Sequence, residues 1–90
     1  MGVVELKILY FAQAREITNI SEEWIHIEGA DERDLTTQNL IQKLLDKYPK
    51  LKDIMNTLVL AVNMSYINKN QKVLLKDKDE VALIPPIGGG

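Results

Sequence analysis

Apolar and polar residues alternate from the start of the chain. Val4, Leu6, Ile8 and Tyr10 share one side, while Glu5 and Lys7 point to the other. This period of two predicts a half-buried β-strand over Val3 to Phe11. Ala12 to Asn19 holds helix formers ending in Thr18-Asn19, which predicts a short turn or a single helical turn. Ser21 to Glu28 reads as a second strand with Ile25 and Ile27 inward. So brief a connection predicts that the two strands pair antiparallel.

The polar stretch Gly29 to Asp34 gives way to a helix pattern capped by Asp34 or Thr36. Leu40, Ile41, Leu44, Leu45 and Tyr48 recur at helical spacing. Lys43 and Lys47 fall in its last turns, where the helix dipole favours cations. Pro49 ends it, because the residue before proline is pushed out of the α region. Leu51, Ile54 and Met55 predict a short second helical piece over the core. Thr57 to Asn63 reads as a hydrophobic central strand, Tyr66-Ile67 as a brief one, and Val81 to Ile84 as the last. Lys76 to Glu80 is a charged turn. The predicted order is β-β-α-β-β-β, an α+β domain whose mixed sheet carries one main helix on one face. The folded domain is expected over residues 1–85, with a flexible glycine-rich tail over 86–90.

A sheet covered on one side by a helix normally keeps its other face polar. Glu5 and Lys7 obey, but Leu9 and Phe11 share their side and are apolar. With Val81 and Leu83 turned to the helix, Ala82 and Ile84 are left on the open face. Trp24 shares a side with His26, opposite Ile25 and Ile27, which would put it outside, but parity is only as good as the register and leaves the burial of Trp24 and His26 open. An exposed apolar cluster rimmed by charge marks a partner surface; a curled sheet with a second minor core is the alternative.

Composition narrows the chemistry. The chain has 90 residues, 46% hydrophobic and 27% charged, with a net charge of -2 and a pI near 5.3. That is the balance of one small globular domain, without the basic footprint that nucleic acid or an anionic membrane requires. Cysteine is absent and histidine occurs once, as His26. Disulfides, thiolate metal sites, cysteine nucleophiles and a histidine zinc cluster are thereby excluded, and no metal site is expected. No export signal or membrane span is legible, so the expected location is the cytoplasm. Asp77, Asp79 and Glu80 are acidic neighbours, but their spacing lacks the glycine and terminal glutamate of a calcium loop.

The end of the chain concentrates its unusual residues. Of five glycines three are Gly88, Gly89 and Gly90, and two of three prolines are Pro85 and Pro86. Diproline favours an extended segment without internal hydrogen bonds. Glycine lacks a Cβ and can thread a narrow channel. A free α-carboxylate is expected at Gly90, on an arm projecting from the sheet.

These residues resemble a known family. Lys7-Ile8-Leu9-Tyr10-Phe11-Ala12 with Arg15-Glu16, then Ala61-Val62-Asn63, and above all Asp79-Glu80-Val81-Ala82-Leu83-Ile84-Pro85-Pro86-Ile87-Gly88-Gly89-Gly90 look like the small, sulfur-carrying subunit of molybdopterin synthase, the MoaD family. The resemblance implies a ubiquitin-like β-grasp fold. It implies that an E1-like adenylyltransferase and sulfurtransferase uses ATP to adenylate the terminal glycine, which a sulfur donor then converts to a thiocarboxylate. The synthase large subunit is implied to receive the tail, where sulfur passes to cyclic pyranopterin monophosphate to build the dithiolene of molybdopterin. Gly90 is then the sulfur-bearing residue and Gly89 gives it passage, while Gly88 stands at a variable position of the motif. Phe11, Tyr66 and Ile84, with Pro85, Pro86 and Ile87, are the implied contacts to the large subunit.

The chemistry agrees. A terminal carboxyl titrates at about 3.3–3.7 and is a poor electrophile near neutrality, so activation by an adenylate is required. No phosphate-binding glycine loop is present, so ATP is expected on the activating partner and no cofactor on this chain. Three other readings stay open from the sequence. They are a sulfur carrier for thiamin synthesis or tRNA thiolation, a ubiquitin-like binding module with an inert tail, and an independent enzyme built on His26 or the acidic turn.

Overall fold

In the computed structural model, which describes residues 2–29, 34–68 and 71–86, the alternation at the start becomes strand β1 (Val3–Tyr10). Val4, Leu6, Ile8 and Tyr10 are all buried and form the floor of the core. At Ala12 the backbone turns sharply with φ 47, and helix α1 (Ala12–Thr18) follows, longer than the single turn expected. It closes on Asn19 in the left-handed region, a usual helix terminator. Thr18 Oγ1, itself buried, donates to the carbonyl oxygens of Ala14 and Ile20 at 3.1 and 3.0 Å and so ties the turn shut.

Strand β2 (Glu22–Glu28) returns antiparallel to β1, with Ile25 opposite Leu6 and Trp24 opposite Lys7. Helix α2 (Thr37–Lys47) starts at Thr36, not Asp34. The Thr36 hydroxyl accepts from Asn39 N, while Asn39 Oδ1 accepts from Thr36 N at 2.9 Å. Such a reciprocal cap satisfies two donors that the first helical turn leaves free. Leu40 and Leu44 are buried against the sheet, and Ile41 and Leu45 flank them. Beyond Tyr48, Pro49 opens a 3-10 turn (Pro49–Asp53), followed by a second (Met55–Thr57). Leu51 and Ile54 are buried, which is the covering role expected of this piece.

The central strand β3 (Val59–Val62) begins two residues later than the sequence pattern predicts. Thr57 belongs to the preceding turn instead, because its N–H and its hydroxyl both donate to the Ile54 carbonyl. Strand β4 (Ser65–Ile67) pairs antiparallel with β3, and β5 (Glu80–Ile84) enters between β1 and β3. The sheet order is β2-β1-β5-β3-β4, with β1 and β5 parallel and every other pair antiparallel. The α+β class and the mixed sheet are therefore as expected. Val81 and Leu83 point into the core with the even-numbered side of β1.

Candidate functional site

Strand parity and register together build the open face. Leu9 lies opposite Ala82, Ala82 opposite Ala61, and Ala61 opposite Tyr66, so one row of side chains crosses β1, β5, β3 and β4. The row is large at its ends and small in its middle. Two alanines between Leu9 and Tyr66 leave a groove of ≈ 380 Å³, walled further by Phe11, Met64 and Ile84. Its lining is mostly apolar, with Glu80 at one margin. Phe11 is 44% exposed, Tyr66 74% and Met64 88%. This is the apolar cluster expected from Leu9, Phe11, Ala82 and Ile84, with Tyr66 beside it.

Backbone geometry presents these side chains. Phe11 N–H still donates to the Leu83 carbonyl at 3.2 Å, which extends the β1–β5 pairing by one residue before Ala12 turns away. Asn63 and Met64 form the two-residue link between β3 and β4, both with positive φ (49 and 72). That is the hairpin turn whose twist matches the strands it joins. Asn63 is fastened to the start of β5: its Oδ1 accepts from Glu80 N, and its Nδ2 donates to Asp79 Oδ1, both at 3.0 Å.

Among the remaining site residues, Pro85 is fully buried and Pro86 is exposed. Pro85 thus anchors the end of β5 in this chain, while Pro86 is free to touch a neighbour. Ile87, Gly88, Gly89 and Gly90, and with them most of the tail over 86–90, lie outside the described residues.

The other half of the open face is charged. Glu5 pairs with Lys78 and stands 3.3 Å from His26 Nε2, Lys7 pairs with Glu22 at 3.5 Å, and the Lys78 amine lies 5.5 Å over the Trp24 ring. The hydrogen bond that the Lys78 amine donates to the Glu5 carboxylate pushes the amine above its ordinary range. The structure settles what parity left open: Trp24 is exposed, and it belongs to this charged half rather than to the groove. The acidic residues of the charged turn hold backbone: Asp77 Oδ1 accepts from Glu5 N of β1 at 2.7 Å and Asp79 Oδ2 from Lys76 N at 2.8 Å. Among the described residues no group of three or more His, Cys, Asp or Glu side chains is placed to hold a metal ion. None of their helices is long and apolar enough to cross a membrane.

A polar cluster unforeseen from sequence sits on the core side of β2. Glu23 Oε2 accepts from the hydroxyls of Tyr10 and Tyr48 at 2.6 and 2.7 Å, and Oε1 accepts from Lys47 Nζ at 2.6 Å. Burial pushes the Glu23 carboxyl up, but the bonds from Lys47, Tyr10 and Tyr48 outweigh it and hold the group below its ordinary range. Burial and then the Glu23 carboxylate push both tyrosine hydroxyls up. The two rings meet edge to face at 5.9 Å. Every partner is accounted for, so the cluster is a clasp between β1, β2 and α2 rather than a reactive centre.

Ala61 and Met64 are the groove residues that sequence reasoning missed. A two-residue link between apolar runs was the available signal, muted because Met stands where glycine usually follows Asn.

Comparison with known proteins places this architecture. The ThiS family model matches residues 8–90. A molybdopterin synthase sulfur carrier subunit from Chlamydomonas reinhardtii is 38% identical, over 97% of this chain and 100% of that protein. Small archaeal modifier protein 1 from Methanosarcina acetivorans superposes with a TM-score of 0.77 at 25% identity, covering 100% of both chains. In the complex of subunits 1 and 2 of the molybdopterin-converting factor from Helicobacter pylori, the matching chain gives a TM-score of 0.55 at 26% identity, over 97% of this chain and 100% of that one. The fold is accordingly the ubiquitin-like β-grasp. With a shared fold and relatives matched nearly end to end, the chain belongs to the ThiS family and, within it, to the molybdopterin synthase sulfur carrier subunits.

Proposed function

We propose that this chain delivers sulfur for molybdopterin synthesis from its own C-terminus. The observation that carries the reading is the near-complete likeness to sulfur carrier subunits, in a family match that runs through Gly90. The Gly90 carboxylate attacks the α-phosphorus of ATP on an E1-like partner, pyrophosphate leaves, and an acyl-adenylate forms. Hydrosulfide supplied by the donor then attacks the acyl carbon, the bond from that carbon to the AMP oxygen breaks, and AMP leaves a thiocarboxylate behind. Glycine at Gly89 lets the backbone enter a narrow channel, and Gly88 adds reach. In the large subunit the thiocarboxylate gives its sulfur to cyclic pyranopterin monophosphate. The absence of cysteine from the chain fits this chemistry, because the sulfur then rides on the backbone terminus.

The groove on the open face is the docking surface for the large subunit in this reading. Phe11 and Tyr66 supply exposed apolar area, the half-buried Ile84 adds to the groove wall, and the exposed Pro86 extends the surface beyond β5, next to the buried Pro85. The chain binds no cofactor of its own, works in the cytoplasm, and is one part of a sulfurtransferase rather than an enzyme alone.

The test is intact-mass measurement after co-expression with the activating enzyme. The chain ending at Gly90 should gain the mass difference of sulfur for oxygen, and a chain with one alanine appended after Gly90 should not, while both keep the same unfolding transition. Full sulfur transfer by the extended chain would refute the mechanism.

A further inference from the structure

Met64 is held in a conformation that its side chain does not favour. Its φ of 72 lies in the left-handed region, where the Cβ of an L-residue crowds the backbone. Glycine would fit the second turn position without that crowding. Among the described residues Ala12, Asn19, Asn63 and Lys78 also have positive φ, but of these five Met64 alone lines the groove, and strain held at a surface that can bind points to a use for its side chain. The side chain itself is 88% exposed, yet it forms part of the wall of the apolar groove. Met55, by contrast, is half-buried against the core.

A thioether suits both halves of that description. Methionine is flexible and polarizable, so it packs against an apolar partner of irregular shape. It is also oxidised reversibly to a polar sulfoxide. We propose that Met64 is an anchor for the large subunit that a hydroperoxide disables, an inference that rests on the docking surface described above. The sulfur lone pair attacks one peroxide oxygen, an S–O bond forms and the O–O bond breaks. Sulfur is oxidised by two electrons, the peroxide is reduced, and water or an alcohol leaves. The polar sulfoxide oxygen must then be desolvated in a mostly apolar groove when the partner covers it, which weakens docking. A methionine sulfoxide reductase restores the thioether.

The experiment treats the full chain with limiting hydrogen peroxide, maps the added oxygen by peptide mass spectrometry, and titrates the large subunit by calorimetry. Oxygen should appear on Met64 before Met55, and the chain carrying oxygen on Met64 alone should bind about tenfold more weakly until the reductase is added. Met64→Leu starts from its own affinity and should show no further change with peroxide. An unchanged Kd for the chain oxidised at Met64 overturns the proposal, as does an equal peroxide loss in Met64→Leu. Phe11→Glu separates the two levels. If it abolishes binding while oxidation does nothing, only the Met64 role fails; if it too leaves the Kd unchanged, the docking surface fails with it.

Discussion

The side-chain oxygen of Asn63 accepts a hydrogen bond from the backbone N–H of Glu80 at 3.0 Å, joining the β3–β4 turn to the first residue of β5. The backbone answers in the other direction, with Asn63 N–H donating to the Glu80 carbonyl at 2.8 Å. One residue therefore sets where the hairpin sits beside the strand that leads into the tail. Asn also tolerates its φ of 49 better than most residues. Asn63→Gly keeps that conformational freedom and removes only the amide contacts to Glu80 and Asp79. It should cost about 1–2 kcal/mol, read as a lower urea midpoint with an unchanged slope. An unchanged midpoint would mean that the backbone pairing alone positions the turn.

The neighbouring position should respond in the opposite sense. Met64→Gly relieves a left-handed backbone and exposes no new core, since the side chain projects outward. We expect a gain of about 1 kcal/mol, equivalent to a rise in Tm of roughly 4–8 °C for a domain this size. The same variant should bind the large subunit more weakly. A protein that is more stable and less able to dock is the signature of strain retained for function. A Tm at or below that of the unaltered chain would show that the positive φ carries no net cost here.

The pattern of β1 was legible because every second residue from Val4 to Tyr10 is apolar and buried, a period that only a strand produces. The groove was legible for the same reason: Leu9, Phe11, Ala82 and Ile84 break the expected polarity of the open face. Its shape was not. Ala61 and Ala82 become the bottom of a groove only through the register of β3 and β5, which strand parity alone does not supply. Glu23 was missed because its three partners lie on other elements, two of them more than twenty residues away on and just after α2. Thr57 reads as strand by composition, but a local hydroxyl-to-carbonyl bond captures it first.

The Glu23 clasp predicts how stability depends on pH. Its carboxyl is held below the ordinary value of 4.5, so the folded state favours the anion. That contribution is complete above the unfolded-state value and is lost as pH falls from there through the lower folded-state value. The tyrosines act oppositely. Tyr10 and Tyr48 are pushed above their ordinary value of 10.0, so their contribution is present below it and lost as pH rises further. Glu23→Gln should cost about 1.5–3 kcal/mol at neutral pH and flatten the acid limb of the stability profile. An acid limb of undiminished steepness in that variant would assign acid sensitivity to other carboxyls.

Depth of the groove offers a test of docking that leaves the core alone. Ala82 lies between Leu9 and Ala61 on the open face, and its neighbours on β5, Val81 and Leu83, point the other way into the core. Ala82→Leu should therefore fill the groove of ≈ 380 Å³ from its floor without displacing packed residues. Its stability should stay within about 1 kcal/mol of the unaltered chain, because the added methylenes enter open space rather than a close-packed interior. Binding to the large subunit should nevertheless weaken by at least about tenfold, or 1.4 kcal/mol, since a filled groove cannot receive a complementary side chain. Calorimetry of the variant against the large subunit, with thermal unfolding of the same sample, measures both. Wild-type affinity in a folded Ala82→Leu chain would move the docking surface away from the β1–β5–β3–β4 row and onto the charged half of the sheet.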